Sequence, residues 1–429
     1  MKILETERDP ANEVLAALKA RAAAADSDLE ARVREVIEDV RQRGDAALLE
    51  LGRKLDSPHL AELRVSESEF EEAYRAIKPE LLQAIRIARS NIEAYHRRQV
   101  RNSWVEMGAD FTYGQIIRPI RTVGLYAPAG LAPYPSTVLM TAVPAAVAGV
   151  NRTILCSPAQ RDGKIHPAML AAARECGVAE VYKVGGAQAV AAMAYGTETV
   201  PRVDKIVGPG GAYVTEAKRQ VFGVVGIDQL AGPSEILVLA DDSANPAYVA
   251  ADMLSQAEHG DDSRCALITD SRKLANAVLS EIKLQTDAAA RAEYIRKSLN
   301  DLGIVVIARD MNECVDLANA FAPEHLELAV ADPWAILRKI ENAGAIMLGP
   351  MTPVPLCDFA AGPNHTLPTG GTARFGSPLG VDDFLKTSGL LSYTREGLER
   401  IAPTVLELAS AEGFEAHANT VRIRLGGRP

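Results

Sequence analysis

The chain reads as an α/β protein with two Rossmann-like (incomplete) parallel-sheet domains, a helical N-terminal arm and a small C-terminal unit. Three observations carry this reading. From Arg121 onward, short β-branched runs alternate with Ala-rich helical runs, the rhythm of a parallel sheet covered on both faces. The rhythm runs through two successive sets, which suggests two related α/β units. Two glycine turns, in KVGGAQAVAAMAYG and KIVGPGGAYVTEAKR, each read strand, turn, helix.

The elements follow in order. Residues 1–25 suit a helical arm. From Asp28 to Arg98 the apolar positions recur at three and four, and Gly44 breaks the run. The first set of strands is predicted at Thr122–Ala127, Arg152–Cys156, Glu180–Val184 and Asp204–Val207, with helices at Thr137–Gly149, Ala168–Cys176 and Gln188–Tyr195. The second set is predicted at Glu235–Ala240, Ala266–Thr269, Ile304–Ile307, Leu326–Val330 and Ala345–Leu348, with helices at Ala247–Glu258 and Met311–Phe321. After Leu348 comes a long Pro- and Gly-rich stretch carrying Asp358, Asn364 and His365, which favours an ordered functional loop. A helix at Arg395–Ala411 and a strand at Thr420–Leu425 are predicted to close the chain.

Composition narrows the function. The chain has 429 residues, 48% hydrophobic and 24% charged, with net charge −10. That balance argues against nucleic acid, whose binding needs basic clusters. It still permits an anionic cofactor held by helix N-termini. The five cysteines are odd in number and form no CxxC pair, which favours a reducing compartment. MKILETERDP has no apolar signal core, and Ser136–Val150 is too short and proline-broken to span a bilayer. A cytoplasmic protein with no membrane segment is the expectation.

The seven histidines are the sharpest clue. His59, His96 and His166 lie in polar, surface-like contexts. His259, His325, His365 and His417 each have an acid or amide nearby in sequence: Gln256 and Glu258, Glu324, Asp358 and Asn364, Glu412 and Glu415. Four such coincidences in one half of the chain favour a shared site. Gln256 and His259 are spaced to share one helix face and suit a borderline or hard divalent ion, although alone they read first as a polar helix terminus. Glu324 and His325 could divide proton work between them, although alone they read first as a surface pair. Neither glycine turn completes a GxGxxG fingerprint, because Tyr213 fills the third position, so the turns alone leave dinucleotide binding open.

Taken together, GLYAPAG, VGGAQA, KIVGPGGAYVTEAKR, GIDQLAGPSEILVLAD, DMLSQAEHG, FAPEHLEL, GPNHTLPTGGTARF and EGFEAHANTVRIRL resemble the histidinol dehydrogenase family, in its order and spacing and over nearly the whole chain. The resemblance implies oxidation of L-histidinol to L-histidine through the aldehyde, with two NAD per product and one zinc ion per subunit. It implies Glu324 and His325 as the acid–base pair and Gln256, His259, Asp358 and His417 as zinc ligands. Ser234, His365 and Glu412 match substrate contacts, beside Gln256, His259, His325, Asp358 and His417; Tyr126, Gln188 and Gly211 match cofactor contacts. It further implies a homodimer with shared active sites. The domains then expected are the arm at 1–25, a first Rossmann-like domain at 26–121 and 235–376 with the metal and acid–base residues, an NAD-binding domain at 122–234, and a unit at 377–429 reaching into the partner's site.

Three positions depart from the family pattern: Gly211 stands where Asn is usual, Ala129 where Gly is usual, and Phe359 where Tyr is common. The main rival is a paralogue that oxidises another small alcohol, such as a sulfonated diol. Glu412 speaks against an anionic substrate, because like charges repel in a closed site. A non-catalytic scaffold would be expected to lack the Glu324–His325 pair, and a zinc hydrolase would have no need of the glycine turns.

Overall fold

The computed structural model describes residues 1–20, 27–129 and 132–427. Residues 21–25 of the expected arm lie outside that set. The described chain divides into two compact units, one of Met1–Gln99 with Ile120–Phe384, the other of Val100–Pro119 with the chain from Leu385 onward.

The larger unit holds two parallel sheets. In the six-stranded sheet the order is Lys2–Glu5, Ile304–Ile307, Arg264–Thr269, Glu235–Ala240, His325–Ala329, Ala345–Leu348. In the five-stranded sheet it is Glu180–Lys183, Arg152–Ser157, Thr122–Tyr126, Lys205–Val207, Gly226–Ile227. The five-stranded order places the first strand centrally, with successors on both sides, as in half of a Rossmann fold. Central strands such as Glu235–Ala240 and Arg264–Thr269 are buried at every position, which explains the apolar runs Ile236–Ala240 and Cys265–Ile268 within them. Among the described residues no helix is long and apolar enough to cross a membrane.

Four expectations need correction. Lys2–Glu5, placed in a helical arm, is an edge strand paired with Ile304–Ile307, and the helix begins only at Ala11. Residues 26–121 were grouped with 235–376, but their apolar stripes pack on the five-stranded sheet. Val33, Ile37, Val40, Leu48 and Leu63 join Tyr126, Ile154 and Val190 in one core; Val65, Phe70, Ile85 and Ile92 join Leu125, Val138 and Leu155 in another. Thr420–Leu425 is not a strand, because a helix runs through Glu415–Arg424. The C-terminal unit is also not contiguous. Its strand Leu385–Tyr393 pairs antiparallel with Phe111–Pro119, which in turn pairs with Trp104–Met107.

The candidate site residues lie at opposite kinds of edge in the two sheets. Glu324, His325 and Ser234 lie at the amino ends of strands in the six-stranded sheet. Tyr126 ends its strand, while Gln188 and Gly211 lie in or beside the helices that follow strands, at the carboxyl edge of the five-stranded sheet.

Beneath the first edge lies a buried acid pair. Glu327, two residues beyond His325, hydrogen-bonds Asp252, which also accepts the Val354 N–H. Burial, and then the charge of Asp252, raise Glu327 above its ordinary 4.5. The folded chain therefore keeps a proton that the unfolded chain releases, so this pair costs stability as pH rises past the ordinary carboxylate range. Glu327→Gln should flatten the fall in denaturant midpoint from about pH 5 to 8, by at most about 1.4 kcal/mol per pH unit. An unchanged pH profile in urea titrations would mean that Glu327 is ionised in the fold.

Candidate active site

Asp358 lies in the last turn of the short helix Val354–Phe359 and is buried. Its Oδ1 lies 3.3 Å from His325 Nε2, and its Oδ2 accepts from Gln256 Nε2 at 3.4 Å. Gln256 lies in the last turn of Pro246–Ala257. His259 lies just past that helix's end rather than on its face, and its N–H donates to the Gln256 carbonyl at 3.2 Å. The Gln256 side-chain oxygen Oε1 is buried with no hydrogen-bond partner. Such an orphaned acceptor calls for a ligand.

His325 is held from its other side. Its Nδ1–H donates to the Glu235 carbonyl at 3.0 Å, which leaves Nε2 as the ring atom facing Asp358. Glu324 Oε2 accepts the Glu235 N–H at 2.7 Å and lies 3.6 Å from His325 Nδ1. One residue at the start of a central strand therefore fixes both members of the pair. Burial opposes a charge on His325, but Glu324 and Asp358 together outweigh it and raise the imidazole pKa. Burial raises the Glu324 carboxyl, with His325 pulling the other way. Burial would also raise Asp358, yet its bond to His325, with His365 and His259 nearby, holds it below its usual value. Burial lowers His259 and His365.

His365 donates from Nδ1 to the Asp358 carbonyl at 2.7 Å, and its Nε2 lies 3.3 Å from Thr137 Oγ1. The structure thus brings Gln256, His259, Glu324, His325, Asp358 and His365 into one neighbourhood. Ser234 directly precedes the strand that holds Glu235. Glu412 and His417 belong to the smaller unit, where both are exposed.

At the other sheet, the Tyr126 hydroxyl accepts the Gly186 N–H at 3.1 Å, tying the strand end to the VGGAQA turn. Gln188 is buried in the helix that this turn opens. Gly211 is the N-cap of Ala212–Val221, and a side chain built there would meet nothing within 4 Å. The Cβ of the Asn usual in the family would therefore meet no neighbour.

His96 was expected on the surface and is instead fully buried. Its Nδ1–H donates to Gln99 Oε1 at 2.7 Å, and its Nε2 accepts from Asn364 Nδ2 at 3.4 Å. Asn364 also donates to the Met140 carbonyl at 2.6 Å and accepts the Thr366 N–H at 2.9 Å. His96 thus braces the loop that presents His365. Its charged neighbours in sequence disguised it.

This arrangement defines a dehydrogenase-like α/β protein, with a proton-handling cluster at one sheet edge and glycine turns at another. A family model described as histidinol dehydrogenase matches residues 19–425. Histidinol dehydrogenase of Moorella thermoacetica is 55% identical over 397 residues, 92% of this chain and 94% of the relative. That of Methanosarcina mazei is 48% identical over 405 residues, 94% and 93% of the two chains. The crystal structure of histidinol dehydrogenase from Elizabethkingia anophelis matches with a TM-score of 0.94 at 38% identity, over 99% of this chain and 98% of that one. The chain belongs to the histidinol dehydrogenase family.

His96→Leu should cost about 1–3 kcal/mol of unfolding free energy, the usual range for stranding buried polar partners. Amide exchange at Thr366 should quicken with it. Wild-type stability and exchange would show that the loop does not depend on His96.

Proposed function

We propose that the protein oxidises L-histidinol to L-histidine through the aldehyde, with two NAD per product and one zinc ion per subunit. The observation that carries this reading is the buried Glu324–His325–Asp358 cluster beside the orphaned Gln256 oxygen. Gln256, His259 and Asp358 offer an amide oxygen, an imidazole and a carboxylate, a nitrogen and oxygen set that fits zinc with positions left for substrate. Among the described residues no group of three or more His, Cys, Asp or Glu side chains converges on one ion. The proposed set is compatible with that, because one donor is an amide and His417 would come from a second copy. The exposure of Glu412 and His417 in a separate small unit supports a homodimer with shared sites. Ser234, His365 and Glu412 would contact substrate; Tyr126, Gln188 and Gly211 would line the cofactor's place.

When bound, zinc supplies a Lewis-acidic anchor for the substrate's nitrogen donors, and NAD supplies the hydride acceptor. The chain's own residues handle protons and position. His325 Nε2 takes the hydroxyl proton in the first oxidation, since Nδ1 is committed to the Glu235 carbonyl. To act as a base the imidazole must be neutral, a state that the neighbouring Glu324 and Asp358 carboxylates oppose. Glu324 then takes a proton from water as that water adds to the aldehyde carbon, while the His325 imidazolium returns its proton to the aldehyde oxygen, giving the gem-diol for the second oxidation. Its fixed bond to the Glu235 N–H keeps the carboxylate aimed. Burial of both groups limits loss of the aldehyde between steps.

Prolonged chelation should abolish turnover, and added zinc should restore it together with about one bound ion per subunit. Full activity of rigorously metal-free protein would rule out the metal's part.

Glu324→Gln should slow aldehyde oxidation by about 10²-fold or more, and alcohol oxidation much less, because only the second step needs activated water. Supplying the aldehyde directly separates the two. Equal losses would reassign Glu324 to orienting His325.

His259→Ala and His417→Ala should each be inactive alone. A mixed dimer of the two should hold one doubly damaged site and one intact site, and so regain part of the wild-type rate. Mixed dimers shown to form yet remaining inactive would place His417 in its own subunit's site.

A further inference from the structure

The glycine turn at Gly208–Gly211 is gripped by a buried ion pair. Lys218 lies on the helix that follows the turn, and Asp228 just past the strand Gly226–Ile227. Their side chains pair directly, and each is only 2% exposed. The pair also takes both main-chain polar groups of Gly208. Asp228 Oδ2 accepts the Gly208 N–H at 2.7 Å, and Lys218 Nζ donates to the Gly208 carbonyl at 3.0 Å. Gly208 has φ +122°, and a side chain there would overlap the Tyr126 carbonyl. The turn therefore lies directly on the end of the central strand Thr122–Tyr126. Thr215 adds a third tie, its hydroxyl lying 2.6 Å from the Ala231 carbonyl and 3.3 Å from that of Gly210.

A buried ion pair is weak evidence for stability, because desolvating two charges offsets much of their attraction. Its geometry is better explained by what it fixes. The strands Thr122–Tyr126 and Lys205–Val207 flank the point where strand order reverses, and ligands of α/β sheets bind outside the carboxyl ends there. The helix beginning at Ala212 follows the strand Lys205–Val207 through this turn, and its first N–H groups lack intrahelical acceptors. With no complete GxGxxG fingerprint, the turn needs another device to hold its shape.

We propose that Lys218 and Asp228 are positioning residues for the cofactor: they hold Gly208–Gly211 in the shape that receives the phosphates of NAD. This rests on the NAD reading above. The pair touches no reacting atom, so its loss weakens NAD binding without disturbing the metal or the amino alcohol.

The test uses full-length, zinc-loaded protein, with NAD binding measured by calorimetry. The charge-free double variant Lys218→Met with Asp228→Asn strands no lone buried charge. Its Kd for NAD should rise about tenfold or more, the effect of losing preorganisation. Its zinc content and histidinol affinity should stay within about twofold of wild type. Thr215→Val, which changes no charge, should weaken NAD in the same selective way by a few-fold, and serves if the double variant does not fold. Lys218→Arg should keep much of the affinity. Folded variants that bind NAD as wild type does, or that lose zinc and histidinol affinity in parallel with NAD, would overturn the proposal. A wild-type protein that binds no NAD would instead overturn the cofactor reading itself.

Discussion

The site depends on one buried carboxylate. Asp358 lies between His325 Nε2 and Gln256 Nε2, with His259 and His365 close enough to act on its charge. A carboxylate so far from water persists only where donors or cations surround it. That requirement explains the density of imidazole and amide groups around it. It also explains why Gln256 turns its nitrogen to Asp358 and leaves its oxygen without a partner. Together with Glu324, the same charge raises His325, so one side chain ties the imidazole's proton uptake to the Gln256 amide.

The fold brings this about with main chain rather than long side-chain networks. Glu235, the first residue of a fully buried strand, gives its carbonyl to His325 and its N–H to Glu324. Two adjacent residues of the neighbouring strand region thereby take fixed and different orientations. At the five-stranded sheet the main chain acts again, through Gly186 to the Tyr126 hydroxyl and through Gly208 to the Lys218–Asp228 pair. The Glu324–His325 cluster lies at the amino end of strands in one sheet, and the glycine turns lie at the carboxyl end of strands in the other.

Much of this was legible in the sequence. Glu235–Ala240, Ile304–Ile307 and Ala345–Leu348 are short runs of apolar or β-branched residues, and they form strands at those positions. Lys2–Glu5 was missed because a four-residue edge strand carries almost no period and depends on a partner 302 residues away. The antiparallel sheet was missed because Trp104–Met107 is exposed throughout and shows no buried face. Thr420–Leu425 alternates like a strand, yet it continues a helix that starts at Glu415. At the site, the Gln256, His259, Glu324, His325 and Asp358 candidates came from local spacing and the family resemblance. His96 could not be found that way, since its partner Asn364 lies 268 residues on. The grip of Lys218 and Asp228 on Gly208 was likewise hidden, because ordinary charged residues in a helix and a loop give no sign of burial.

In the proposed reaction, one cluster serves both oxidations without releasing the aldehyde. The most direct measurement incubates the zinc-loaded protein with L-histidinol and NAD, following product mass and NADH together. L-histidine should be the product, with two NADH formed for each histidinol consumed. Accumulation of the aldehyde with a single NADH, or no turnover of histidinol while another alcohol is oxidised, would contradict it.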